Sequence, residues 1–231
     1  MNSLAADKII VALDVPAKSD ALKLVEQLRD QISFFKIGLQ LYTAEGPAIV
    51  REILGTGAKV FLDLKLHDIP HTVARAVESA VGLGVQMLTI HLSGGSEMVR
   101  AAAIASGHDM TLLGVTMLTS LNQHSLSELG ISDKIDNQVA RLARLGVAAG
   151  VNGVVASPHE TRALRELFGN KIVIVTPGVR PSWSEAGDQR RVMTPREASD
   201  AGADYLVIGR PILAAKNPSD AAARILEELS A

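Results

Sequence analysis

Cysteine is absent from all 231 residues, so neither disulfides nor thiolate metal sites can form. No run of about 18 or more apolar residues occurs, the length a membrane-spanning helix requires, and residues 1–8 lack the basic and apolar halves of a signal peptide. Charge of one sign is also lacking. The 23 Lys and Arg nearly balance 25 Asp and Glu, for a formal net charge of −2, which argues against a polyanion-binding surface and against nucleic acid as a partner. No glycine-rich dinucleotide fingerprint follows the first apolar run. No linker, low-complexity tract or composition shift marks a domain boundary. What remains is the composition of a soluble enzyme, 47% hydrophobic and 21% charged, expected in the cytoplasm and away from membranes.

The pattern that is present repeats along the chain: a short apolar, β-branched run, a turn, then a segment with helical spacing. Strands are predicted over 9–15, 34–39, 59–66, 87–92, 112–118, 153–157, 172–176 and 205–209. Helices are predicted over 19–30, 45–54, 71–83, 96–106, 135–149, 158–168, 195–201 and 218–229. Several open on a capping residue followed by proline, as in Ser157-Pro158, Thr194-Pro195 and Asn217-Pro218. Eight strands alternating with helices call for a parallel sheet with right-handed crossovers, and eight units match a closed (β/α)8 TIM barrel, one domain over 1–231, better than an open doubly wound sheet.

The third strand carries the chemistry. Asp63-Leu64-Lys65-Leu66-His67-Asp68-Ile69-Pro70 puts two carboxylates and an ammonium at the end of an apolar run, where charges are tolerated only if they meet each other or a ligand. Strand alternation puts Asp63 and Lys65 on one face and Leu62, Leu64 and Leu66 on the other. Asp68 falls beyond the strand, and Pro70 ends it or opens a helix. A lysine flanked by carboxylates keeps its proton, which suits a proton donor better than a Schiff-base nucleophile. Asp14 and Lys36, at the ends of the first two strands, add a second carboxylate and ammonium if they point into the barrel mouth. The competing reading is a salt-bridge network that only neutralises buried charge. Four such residues on three successive strands favour a functional site.

Across the barrel, Thr176-Pro177-Gly178-Val179-Arg180 and Ile208-Gly209-Arg210-Pro211 close the seventh and eighth strands. Glycine lets backbone N–H groups approach an oxyanion and arginine supplies a bidentate cation, so the two corners together suggest a phosphate clamp. Between them residues 178–193 run far longer than a usual βα loop, which marks a lid or binding loop. Thr119-Ser120 after the fifth strand offers hydroxyls to a polar ligand, although spacing alone does not require it. His67 and His71 are four apart, but Pro70 makes one continuous helix through both, and so a metal pair, improbable. His91 reads as a hydrogen-bonded wall residue, and nothing in the spacing of Trp183 assigns it a role.

These residues resemble the orotidine 5′-phosphate decarboxylase family from Val11-Ala12-Leu13-Asp14 through Phe35-Lys36-Ile37-Gly38, the Asp63 to Pro70 segment, Met117-Leu118-Thr119-Ser120 and Thr176 to Arg180, to Val207-Ile208-Gly209-Arg210-Pro211-Ile212. The Asp-x-Lys-x-x-Asp element is shared with related sugar-phosphate enzymes, and the later motifs make the match specific. The resemblance implies cofactor-free and metal-free decarboxylation of orotidine 5′-monophosphate to UMP in pyrimidine biosynthesis. By the same resemblance Lys65 protonates the ring carbon, Asp63 and Asp68 hold its ammonium, and Lys36 adds charge and meets the ribose, as does Asp14. Thr119 and Ser120 meet the pyrimidine; Pro177, Arg180, Gln189, Gly209 and Arg210 match the substrate and phosphate grip. It further implies a homodimer in which Asp68, Ile69 and Thr72 reach into the partner's site. The rival readings are a Mg²⁺-dependent sugar-phosphate lyase or decarboxylase of the same barrel group, and a non-catalytic nucleotide-binding barrel.

Overall fold

The computed structural model describes residues 3–184 and 193–230. Strands β1 (Ile9–Ala12), β2 (Phe34–Gly38), β3 (Lys59–Leu66), β4 (Met87–His91), β5 (Thr111–Val115), β6 (Gly153–Val155), β7 (Val173–Pro177) and β8 (Tyr205–Ile208) pair in parallel in chain order. Pairing of β8 with β1 closes the barrel.

Side-chain alternation divides the apolar residues into two layers. Ile9, Val11 and Leu13 face outward into the large core shared with the helices, whereas Ile10 and Ala12 face inward. The inward set continues around the ring as Phe34, Phe61, Met87, Leu113, Val175 and Val207, filling the barrel interior. Two residues further along the same inward rows come Lys36 after Phe34, Asp63 after Phe61, Thr89 after Met87 and Gly209 after Val207. One strand repeat above an apolar plug, the chain presents polar side chains at the C-terminal mouth.

The prolines expected to open helices do so in Pro158–Phe168, Pro195–Asp200 and Pro218–Ser230. Thr194 caps the second of these, accepting from the Glu197 N–H, while Glu197 accepts from the Thr194 N–H at 2.9 Å. The helix after β3 begins at the proline itself, as Pro70–Leu83, buries Val73, Val77 and Ala80 on one face, and ends at the left-handed Gly84.

Three expectations need correction. The helix predicted over 45–54 is two, Leu39–Glu45 and Pro47–Gly55, broken where Gly46 takes φ 63° and ψ −157°; the first starts directly off β2. Short helices Gln123–Glu128 and Arg210–Leu213 were not anticipated. Strands predicted to run to residues 15 and 118 stop at Ala12 and Val115; the next residues, Leu13 and Thr116, still donate to the Lys36 and Val155 carbonyls of the neighbouring strands. No helix among the described residues is long and apolar enough to cross a membrane.

Candidate active site

Strands β1, β2 and β3 bring their charges into one alternating row. Lys36 Nζ lies 3.1 Å from Asp14 Oδ1 and 3.5 Å from Asp63 Oδ2, and Lys65 Nζ lies 2.8 Å from Asp63 Oδ1. Leu62, Leu64 and Leu66 pack on the opposite face with the outer core, as alternation requires. Gly38 makes room for the row: a Cβ there would sit 2.9 Å from Lys36 Nζ and 3.3 Å from Asp14 Oδ1. A glycine closing an otherwise β-branched and aromatic strand was the available signal for that close approach, and the sequence reading missed it.

Burial alone would raise the Asp63 carboxyl, but the charges of Lys36 and Lys65, with hydrogen bonds from Lys65 and Thr89, outweigh it and hold the group below its ordinary value. A carboxyl lowered in the folded state contributes stability above its unfolded value of 3.8 and loses it as pH falls through the folded value. Melting curves followed by circular dichroism should therefore find Asp63→Asn less stable than wild type by about 3 kcal/mol at neutral pH. The two should converge as pH drops below about 4. A constant gap across that window would show that the charge of Asp63 is uncoupled from stability.

The ladder between β3 and β4 is irregular where the charges sit. Leu62 pairs with Leu88 and Leu66 with Ile90, so four residues of β3 span what two of β4 span. Within this bulge Lys65 has φ 51°, the one positive φ outside glycine among the described residues, a conformation costing about 1–2 kcal/mol for a residue with a Cβ. Strain of this kind collects at functional sites. Thr89, fully buried in the middle of β4, accepts the Lys65 N–H at 2.9 Å and donates to Asp63 Oδ1 at 2.9 Å. A lone hydroxyl on the inward face of an apolar strand was the trace of it in the sequence.

The rest of the wall comes from β7 and from β8, which closes the ring against β1. Pro177, Gly178, Arg180, Gly209 and Arg210 line the same cavity as the charged row, about 260 Å³, together with Met117, Thr119 and Val155. Arg180 is buried to 7% exposure; its backbone N–H donates to the Met193 carbonyl at 2.9 Å and its guanidinium to the Val179 carbonyl at 3.0 Å. Arg210 opens the short helix that follows Gly209.

Not every expected site residue joins them. Asp68, Ile69, Thr72 and Ser120 lie on the exposed surface and do not line the cavity. Asp68 makes no ion pair with Lys65 within the chain and instead accepts the Ile69 N–H at 2.6 Å. Gln189, with the rest of residues 185–192 of the long loop, lies outside the described residues. His91 was expected as a hydrogen-bonded wall residue; its ring packs beside that of His67, centroids 5.6 Å apart. Burial, then the charges of His67 and Lys65, lower its pKa. Trp183 stacks on the Arg224 guanidinium, 4.2 Å from the ring centroid, on the C-terminal helix.

Comparison with known proteins adds a family. Residues 7–225 match the model of the "Orotidine 5'-phosphate decarboxylase / HUMPS family". A protein of Moorella thermoacetica named orotidine 5′-phosphate decarboxylase is 52% identical over 234 residues, covering 97% of this chain and 93% of that protein. One of the same name from Carboxydothermus hydrogenoformans is 47% identical over 231 residues, covering 97% and 96%. The crystal structure of orotidine 5′-phosphate decarboxylase from Lactobacillus acidophilus superposes with a TM-score of 0.86 at 34% identity, covering 97% of this chain and all of that one.

Proposed function

Since the chain belongs to the orotidine 5′-phosphate decarboxylase / HUMPS family, we propose that it converts orotidine 5′-monophosphate to UMP and carbon dioxide in pyrimidine biosynthesis, without a cofactor. The observation that carries this reading is one cavity lined by two charged groups: the row Asp14–Lys36–Asp63–Lys65 at the ends of β1 to β3, and Arg180, Gly209 and Arg210 at the ends of β7 and β8.

Each group has its part. The arginines and the Gly209 backbone take the phosphate dianion, with Pro177 and Gln189 beside it, and Asp14 and Lys36 take the ribose hydroxyls. Thr119 meets the pyrimidine, with Ser120 next to it, against the apolar wall of Met117 and Val155. That leaves the substrate carboxylate among Asp63 and Lys65. When the carbon–carboxylate bond breaks, its electron pair stays on an sp² ring carbon with no adjacent carbonyl to delocalise it simply, so stabilisation comes from the ammonium held beside it. Lys65 Nζ then gives its proton to that carbon and is left as the neutral amine, to be reprotonated from water. The Asp63 carboxylate, 2.8 Å away, holds that ammonium in place until then.

The reading extends to assembly. Asp68, Ile69 and Thr72 serve the site of a second copy, in a homodimer that works in the cytoplasm. Their surface position, with Ile69 66% exposed, supports this, since an apolar side chain so placed is suited to being covered by a partner.

Purified protein treated with EDTA should abolish the orotate ultraviolet absorption band of orotidine 5′-monophosphate. A band that persists with active control enzyme present overturns the reading. Activity that disappears in chelator and returns with Mg²⁺ supports metal-dependent sugar-phosphate chemistry instead.

A further inference from the structure

We propose that Thr89 is a positioning residue for this decarboxylation, its hydroxyl tying the strained Lys65 backbone to the Asp63 carboxylate so that ammonium and counter-ion hold one relative geometry. The inference rests on the functional reading above and adds a residue to it.

A threonine hydroxyl has one proton. The Lys65 N–H can only donate, so Thr89 Oγ1 accepts there and must spend its own proton on Asp63 Oδ1. The direction of the relay is fixed by the chemistry of its ends. The same Asp63 oxygen receives Lys65 Nζ at 2.8 Å, and the other oxygen faces Lys36 at 3.5 Å. The carboxylate is thus oriented from three strands: Lys36 on β2, Lys65 on β3 and Thr89 on β4.

The bulge explains why a side chain is needed there. Where β3 runs four residues against two of β4, a regular ladder cannot supply an acceptor for the Lys65 N–H, and a buried N–H without one is costly. Thr89 supplies it from inside the barrel, at a fully buried position on an apolar strand where valine has the same shape. The hydroxyl therefore serves a purpose other than filling space. Lys65, whose φ of 51° is held by this contact, can deliver its proton only along the direction that its backbone sets. A loosened backbone costs turnover before it costs binding, because the phosphate and ribose contacts lie on other strands.

Thr89→Val keeps the shape and removes the hydroxyl. Its kcat for orotidine 5′-monophosphate should fall about 10- to 100-fold, while the Kd for UMP by calorimetry stays within about threefold of wild type. Thr89→Ser keeps the hydroxyl and loses the methyl, and should retain kcat within about threefold. Wild-type turnover in Thr89→Val, or an equal fall in Thr89→Ser, overturns the proposal and assigns Thr89 to packing. Should the valine variant fail to fold, Thr89→Ala against Thr89→Ser isolates the hydroxyl at equal loss of methyl: serine at least about tenfold faster supports the role, equal rates overturn it. Wild-type protein without decarboxylase activity defeats the functional reading itself and this proposal with it, whereas active wild type with an unimpaired valine variant defeats the proposal alone.

Discussion

Lys65→Ala should lose decarboxylation by at least about 10⁴-fold while binding UMP almost as tightly as wild type. The size follows from two contributions made by one atom. A positioned general acid is worth about 10²–10⁴, and a preorganised charge facing a developing anion about 10²–10³ more. Lys65 Nζ supplies both. Affinity for UMP should change little because the product lacks the carboxylate, and the groups assigned to its phosphate and ribose, Arg180, Gly209, Arg210 and Asp14, belong to other strands. Lys36 still faces Asp63 at 3.5 Å, which leaves that carboxylate with a counter-charge after the truncation. The measurements are single-turnover decay of the orotate absorbance and calorimetric titration with UMP. Turnover within tenfold of wild type would remove Lys65 from the role of acid. Lost UMP binding together with lost turnover would recast it as a residue that builds the pocket. A barrel that binds nucleotides without chemistry predicts the retained UMP binding but not the lost turnover, since its wild type would show no decay to lose.

Why Lys65 could be singled out from the chain alone, and Thr89 could not, is a matter of which interactions are local. The alternation that places Asp63 and Lys65 on one face, and Leu62, Leu64 and Leu66 on the other, is a property of any strand, and β3 occupies residues 59–66 as read. Asp14 and Lys36 were legible for the same reason, each lying inward, two residues beyond an apolar residue of the barrel plug. The bulge is different. It arises from a register mismatch with β4, and the hydrogen bond that secures it joins residues 24 apart; nothing within a few residues of Lys65 encodes it. Gly46 illustrates the same limit in a helix. The spacing marks one helix over 45–54, and the break between Leu39–Glu45 and Pro47–Gly55 depends on one glycine taking φ 63°. Gln123–Glu128, capped by Asn122, has six residues and is too short for periodicity to reveal.

The position of Asp68 leads to the second large effect: two variants inactive alone should regain activity when mixed. Strand β3 ends at Leu66, and Pro70 starts the next helix, so residues 67–69 are a short exposed turn that carries Asp68 away from the face shared by Asp63 and Lys65. Among the described residues of its own chain its carboxylate reaches only the Ile69 N–H, at 2.6 Å. If Asp68 completes the site of a partner, a homodimer of Lys65→Ala lacks the proton donor in both sites, and one of Asp68→Ala lacks the flanking carboxylate in both. A heterodimer of the two concentrates both defects in one site and leaves the other whole. Random exchange at equal concentrations makes about half the dimers mixed, each with one intact site of two, so activity should rise to about a quarter of the wild-type value. Recovery should follow the time course of subunit exchange, which a fluorescence label on each variant reports independently, and it should be absent when the variants are assayed before exchange. If exchange is seen and activity stays at the level of the separate variants, Asp68 acts in its own subunit, and the turn 67–69 must move to bring it to Lys65. Ile69 gives the same test an apolar control. Truncation of this 66% exposed side chain to alanine should weaken the dimer without removing a charge, so that activity falls on dilution and returns at high protein concentration. Asp68→Ala alone should stay inactive at any concentration.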